Sequence, residues 1–410
     1  MSKRVAVIGG GASGLMAAWF AAEAGCSVTL FEKQGKLGRK ILVSGNGRCN
    51  ITNRFLVPAR YHGSNPGFAQ EVLTRFGFEE TAAFFESIGI PLVEEKKGRI
   101  FPASLHAATV VRFFEYELLR RGVEVNLHRK VERISPKGNG IEIVTAGREA
   151  YRFDAVILAA GSCAFPPAGG SRSGYDLAQQ AGHRVIEPFP AIIPITIPMK
   201  DIHRLQGIKW QCGVRVEENE KTIASSQGEV LFTAYGISGP ASLDVSRAVN
   251  ESVIKGGAPR IVIDCMPDYS HNEIDAILSS LLADSDKSVA FALSSLLRHP
   301  MPEVILSRAS LSKDVTAGEM TPEMRRKLAG VIKGLSLEPG APRGFNEAVV
   351  AAGGVDVSEV DPATMASRLM PGLYLTGELL DIDGDSGGYN LQFAWSTGAI
   401  AGMAQGATVS

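Results

Sequence analysis

Cysteine is scarce: five residues (Cys26, Cys49, Cys163, Cys212 and Cys265) in a chain of 410, scattered, odd in number and without C-x-x-C spacing. That excludes a disulfide framework and a zinc site as organising features and predicts a reduced, cytoplasmic protein. An excess of one charge is also missing. The 42 Lys and Arg face 43 Asp and Glu, a formal net charge of -1, so no overall field draws the chain to nucleic acid or membrane, although a neutral total leaves room for a local basic patch. No run reaches the roughly 18 uninterrupted apolar residues of a membrane span. Near the start, Lys3, Arg4, VAVIGG and MAAWFAAEAGC imitate a signal peptide, but glycines and Ser13 break the apolar stretch and Glu23 follows it, which suits a folded unit better. There is no internal repeat and no low-complexity tract. What remains is a globular balance of 45% hydrophobic and 21% charged residues, long enough for two or three lobes, each with its own core.

The first forty residues carry the sharpest signal. Val5, Ala6, Val7 and Ile8 form a short apolar run of the kind buried on both faces of a parallel sheet. It ends in GGGASG, where Gly9, Gly11 and Gly14 fit G-x-G-x-x-G: a tight turn, close approach of a pyrophosphate to the backbone, and close helix–strand packing. Leu15 to Ala24 then predicts a small-residue helix, stopped by Gly25, whose first N–H groups, including those at Ala12 and Ser13, and positive dipole end face the phosphates. A second strand, SVTLF (27–31), ends at Glu32, the acid that accepts hydrogen bonds from a ribose, with Lys33 beside it. Strand, glycines, helix, strand and acid in this order predict a bound dinucleotide; an ordinary glycine-rich turn of an α/β fold is the bland alternative.

NAD and FAD share this unit, and residues 372–398, GLYLTGELLDIDGDSGGYNLQFAWSTG, bear on the choice. A short strand over Leu373–Leu375 leads into Thr376, Gly377 and Glu378. Asp381 follows at a spacing that suits a polyol, and a helix opened by Gly387 and Gly388 starts near Asn390 and runs through Leu391 and Gln392 to about Ala404. The set looks like the second FAD fingerprint, which a dehydrogenase using NAD alone has no need of. The other reading of Asp381, Asp383 and Asp385 is a solvated or calcium-like loop, but the terminal glutamate and flanking helices of an EF-hand are missing, so no metal is expected. VILAAGSCAFPPAGG (156–170) is a further buried strand turning at Gly161, and Ala160, Gly161 and Val131 are also assigned to the cofactor.

With GRKILVSGNGRCNITN (38–53), LFTAYGISGPASLDVSR (231–247) and GFNEAVVAAGGV (344–355) added, the chain resembles, nearly end to end, the bacterial BaiN/YhiN-type flavoproteins, NAD(P)/FAD-dependent oxidoreductases that include aminoacetone oxidase-like FAD-binding enzymes. The resemblance implies a split Rossmann-like FAD domain of the two-dinucleotide-binding type, in the α/β class, with an inserted β-barrel-like lobe and a small helical cap. It also implies that the loop after the second strand folds over FAD and that the last helix aims its amino end at the isoalloxazine ring. On that basis Arg39 or Lys40 offsets the pyrophosphate charge, Ser44 and the backbone around Gly45 and Gly47 donate to it, and Arg48 with Asn50 addresses the flavin edge. The alternative is that Arg39, Lys40 and Arg48 only solvate a loop.

The expected division is residues 1–188 and 336–410 for the FAD domain, 189–270 for the β-rich lobe and 271–335 for the cap. VRVEENEKTIASSQGEVLFT (214–233) alternates as a hairpin with Glu218, Asn219 and Glu220 at its turn. HNEIDAILSSLL, SVAFALSSLLRH and MTPEMRRKLAGVIKGL read as amphipathic helices, the last starting near Thr321 and Glu323. Arg298, His299, Lys313, Arg325, Arg326, Lys327 and Lys333 form either a basic face or the wet side of these helices.

No second G-x-G-x-x-G follows a strand, so NAD(P)H is expected as a transient reductant. Cys49 is the one sulfur in a cofactor-facing motif. Arg48 beside it predicts a lowered thiol pKa and a proton donor or redox partner; the alternative is a small packing residue. The resemblance leaves three activities open. One is NAD(P)H-dependent reduction of an activated C=C bond in a small molecule or in RNA, including uridine to dihydrouridine in ribosomal RNA. The others are amine or aminoacetone oxidation and a flavin-holding binding or assembly role. No stable protein partner is evident.

Overall fold

The structure, a computed structural model, describes residues 2–284 and 286–406. It divides into two compact units, Met1–Phe189 with Val349–Ser410, and Pro190–Ala348.

The first unit is built on a five-stranded, all-parallel sheet in the order Leu373–Leu375, Ala155–Leu158, Arg4–Ile8, Ser27–Phe31, Glu124–Asn126. Its register sets Val5 against Ala155 on one side and Val28 on the other. The central strands VAVI and AVIL are fully buried, because helices or loops cover both faces and neither face needs polar residues. Helix Ala12–Glu23 lies against the C-terminal helix Tyr389–Met403 at backbone distance. A Cβ on Gly398 would stand 2.3 Å from Ser13 O, and one on Gly402 2.7 Å from Ala17 O. Small residues four apart on one helix thus seat the end of the chain on its beginning, which closes the unit across the insertion. Beneath them lies an aromatic cluster in which Phe114 stacks on Trp395 at 5.7 Å and Phe85 meets the same indole edge-on at 5.3 Å.

The second unit is a six-stranded antiparallel sheet in the order 195–196, 236–238, 221–233, 209–218, 260–264, 335–337. The predicted hairpin is present, Lys209–Glu218 paired with Lys221–Thr233. Asn219 and Glu220 form its turn with φ of 49° and 64°, the left-handed pair that matches strand twist in a two-residue loop. Helices His271–Leu281 and Pro322–Lys333 begin on Ser270 and Thr321, whose hydroxyls accept from Glu273 N and Met324 N.

These helices were expected as a separate cap. Their apolar faces (Ile274, Leu278, Leu328, Ile332) instead share one core with sheet residues Ile261, Ile263 and Leu335, so sheet and helices form a single unit that reaches Ala348. Arg325 is bound bidentately by Asp275 at 2.9 and 3.1 Å, and Lys333 pairs with Asp264 at 2.7 Å. That takes two of the seven cations away from any basic face. Among the described residues no helix is long and apolar enough to cross a membrane.

Candidate active site

A crevice of about 310 Å³ runs along the carboxyl edge of the parallel sheet, where open α/β sheets bind their ligands. Strand order fixes its direction. Glu32 follows one inner strand, Gly9 the central one, Ala159–Gly161 the next, and Glu378 the outer one.

In the middle, Gly9 has φ 112° and a Cβ there would lie 2.3 Å from Ala159 O, so only glycine makes the turn. Gly14 meets the same turn from the helix side, its absent Cβ 1.8 Å from Gly9 O. Gly11 differs: nothing lies within 4 Å of a Cβ built on it, and the same holds for Gly161 across the crevice. Two backbone walls therefore face open space, beside the N–H groups at Ala12 and Ser13 that no earlier helical carbonyl can accept.

At one end Glu32 accepts from Gly10 N and Gln34 N, both at 2.7 Å, which fixes its carboxylate at the strand terminus. Lys33 donates to Ser171 Oγ, and desolvation holds its ammonium below its ordinary pKa. Val131 lines this end. At the other end Lys40 pairs with Glu378 Oε2, and Glu378 Oε1 accepts from Ala351 N at 3.1 Å. Asn390 and Leu391 open the C-terminal helix onto the crevice, with the Asn390 amide anchored on Gly384 N and O at 2.9 and 2.6 Å. Arg39 straps Gln34 Oε1 at 2.5 Å to Pro167 O at 2.8 Å. Ser44 lines the wall, but its hydroxyl donates to Ile41 O at 2.7 Å and not into the cavity.

Gly9, Gly11, Ala12, Ser13, Glu32, Lys33, Arg39, Lys40, Ser44, Val131, Ala160, Gly161, Glu378, Asn390 and Leu391 thus share one crevice. Gly14 and eight others named with them lie outside its lining. Arg48 turns to Glu95 at 2.7 Å and over the Phe101 ring at 4.4 Å. Cys49 is wholly buried with φ 61°. Burial pushes its thiol up to about 12, and a side-chain hydrogen bond with Ser44 offsets this only in part. This is the reverse of the direction expected from Arg48, and it leaves a poor acid shielded from solvent. Asn50 keeps Oδ1 buried without a partner among the described residues, and Gly45 packs against Asn50 N.

Asp381 is buried and accepts from Ser64 N at 2.8 Å. Gly377 is wedged against Ser13, and Gly388 against the Thr52 carbonyl. Gln392 is an internal clasp: its amide nitrogen donates to Thr81 Oγ1 at 2.8 Å and Gly77 O at 3.1 Å, and its oxygen takes the Thr52 hydroxyl. Sequence reasoning missed Gly10, Gln34, Phe165, Gly169, Gly170, Val349 and Val350, all in the lining. The glycine pair after Phe165 was the available signal for its loop; Val349 and Val350 gave none.

An elongated groove with two open glycine walls, helix N–H donors at its centre and an acid at one end fits FAD. A family model described as the HI0933-like protein Rossmann domain matches residues 3–404. The chain belongs to this family. It is similar to the 3-dehydro-bile acid delta(4,6)-reductase of Clostridium scindens, 35% identical over 407 residues and 98% of each chain. It is similar also to the ribosomal RNA dihydrouridine synthase of Haemophilus influenzae, 30% identical over 396 residues and 95% of each chain. Among solved structures, the 3-ketosteroid delta1-dehydrogenase of Sterolibacterium denitrificans shares the fold, at TM-score 0.51 and 12% identity, with 99% of this chain and 100% of that one covered. Family and fold agree with the motif-based expectation, and the protein is an FAD-dependent oxidoreductase.

Proposed function

We propose that this enzyme reduces a C=C bond conjugated to a carbonyl in a small apolar molecule, with reduced nicotinamide dinucleotide as a transient electron donor. The observation that carries this reading is chemical agreement between relatives whose names differ. A delta(4,6)-reductase acting on a 3-dehydro-bile acid and a dihydrouridine synthase both saturate a C=C bond conjugated to a carbonyl, in a steroid ring and in uracil.

The chain's own residues support each requirement. The backbone at Gly11 to Ser13 binds pyrophosphate charge, Glu32 accepts from ribose hydroxyls, and Leu391 and Ala394 supply an apolar wall that excludes water. FAD, when bound, supplies a two-electron carrier between nicotinamide and carbon. Val43 and Val349, 50% and 49% exposed, line the same crevice and favour an apolar substrate. Uridine in ribosomal RNA is the second reading, favoured by the Haemophilus influenzae relative.

The test is anaerobic incubation of the purified yellow protein with NADPH and either a 3-oxo-4,6-diene steroid or ribosomal RNA, with products read by mass spectrometry. A gain of two hydrogens on the steroid is expected. Saturation of uridine alone would move the substrate to RNA, and peroxide from an amine under air, with neither acceptor reduced, would overturn the reductase reading.

A further inference from the structure

Saturating such a bond needs a proton as well as a hydride, and Cys49, the donor expected from sequence, is sealed in the core. The remaining acid has to stand in the crevice, at the end away from Glu32. We infer that Lys40 is this proton donor and that Glu378 is the residue that positions it. The inference rests on the reductase reading.

Four observations carry it. Lys40 and Glu378 both line the crevice, and Glu378 follows the outermost strand, on the side opposite Glu32. That places the pair at the reacting end and away from the pyrophosphate that Lys40 was expected to neutralise. Glu378 is itself fixed, since its second oxygen accepts from Ala351 N at 3.1 Å, within the fully buried strand Val350–Val355. Lys40 uses one of its three N–H donors on Glu378; among the described residues the other two have no protein acceptor. The other basic side chains of the lining are engaged or lie elsewhere. Lys33 goes to Ser171, Arg39 to Gln34 and Pro167, and Arg129 and Lys130 pair with Glu149 and Glu132 near the Glu32 end, while Lys36 follows that same strand.

The step balances. FAD held in the crevice would, once reduced, supply a hydride to the carbon β to the carbonyl, which would leave the C=C electron pair on the carbonyl oxygen as an enolate of the substrate. The α-carbon then takes a proton from Nζ, an N–H bond of Lys40 breaks, and the carbonyl re-forms. The neutral amine is reprotonated by water, which reaches a side chain left 34% exposed.

The test compares wild type, Lys40→Met, Lys40→Arg and Glu378→Gln, each reduced anaerobically and then mixed with ferricyanide, which takes electrons without needing a proton on carbon, or with the steroid dienone. Lys40→Met is expected to keep FAD within twofold of one per chain and to be reoxidised by ferricyanide at the wild-type rate. Its reoxidation by the dienone should be slower by roughly 10²–10⁴, the usual share of general acid catalysis. Lys40→Arg keeps the charge but holds its proton too tightly and should be equally slow; Glu378→Gln should fall between.

Unchanged dienone rates in Lys40→Met, colourless Lys40→Met protein, or full rescue by arginine would each overturn the assignment. If wild type reduces uridine in ribosomal RNA but not the dienone, it is the substrate reading that fails. The same four proteins are then compared on RNA, where the same proton is demanded. Reduction of neither acceptor by wild type overturns both.

Discussion

Two glycines of one motif should fail in opposite ways. A Cβ at Gly14 would lie 1.8 Å from Gly9 O and 3.3 Å from Ala159 Cβ, where ordinary contact begins at 3.4 Å, and the obstructing atom is backbone in the tightest turn of the sheet. Gly14→Ala must therefore push helix Ala12–Glu23 off the central strand. Overpacking of this kind costs about 1–3 kcal/mol, occasionally more, which lowers the melting midpoint by roughly 2–12 °C. A Cβ at Gly11 meets nothing within 4 Å, and its φ of -84° suits any residue. Gly11→Val should leave the cofactor-free protein within about 0.5 kcal/mol of wild type. Its side chain instead occupies the approach to the helix N–H groups. Two charge-assisted hydrogen bonds lost there, at about 1.5–3 kcal/mol each, weaken FAD by roughly 10²–10⁴-fold. Thermal melts of cofactor-free protein and FAD titration by flavin fluorescence read the two effects separately. Wild-type FAD affinity in Gly11→Val, or a wild-type melt in Gly14→Ala, would refute the assignment of open wall and packing face.

Gln392→Leu should cost about 2–4 kcal/mol by stranding Thr81 and the Gly77 carbonyl, with FAD content unchanged; loss of FAD at unchanged urea midpoint would return Gln392 to the cofactor. Iodoacetamide at pH 8 should modify Cys26, the one cysteine not buried, and leave Cys49 untouched until the protein unfolds, as peptide mass spectrometry would show. His183 is buried between Glu359 at 2.9 Å and Ser367 at 2.8 Å, and desolvation holds it below its ordinary pKa against the pull of Glu359. Its unfolded form therefore binds a proton that the folded form resists, so stability falls as pH drops through about 6.5. His183→Gln should flatten that part of the curve of urea midpoint against pH, and an identical slope in both proteins would contradict this.

The elements that position the site were legible because their signals are local. VAVI and SVTLF became the strands Arg4–Ile8 and Ser27–Phe31, and the helix expected from near Asn390 runs over Tyr389–Met403. Side-chain direction was not legible where the backbone departs from a regular period. In the loop after Gly38, Gly45, Asn46, Gly47 and Cys49 all have φ between 55° and 80°, so neighbours need not face the same way, and Arg48 turns outward to Glu95 while Cys49 turns inward. On the last helix the miss was one of phase. Asn390, Leu391 and Ala394 face the crevice, while Gln392 lies about 100° round the axis from Leu391, on the side of Trp395 and Ser396. For the expected cap, periodicity identified an apolar stripe on each helix but not the core that it joins.

The most direct test of the site is a crystal structure of the protein as purified. Difference density is expected for one extended FAD along the carboxyl edge of the sheet, with its adenosine ribose at Glu32, its pyrophosphate over Gly11 to Ser13 and its isoalloxazine ring between Lys40 and Asn390. A nicotinamide dinucleotide as the resident ligand, or side chains closing the space beside Gly11 and Gly161, would contradict it.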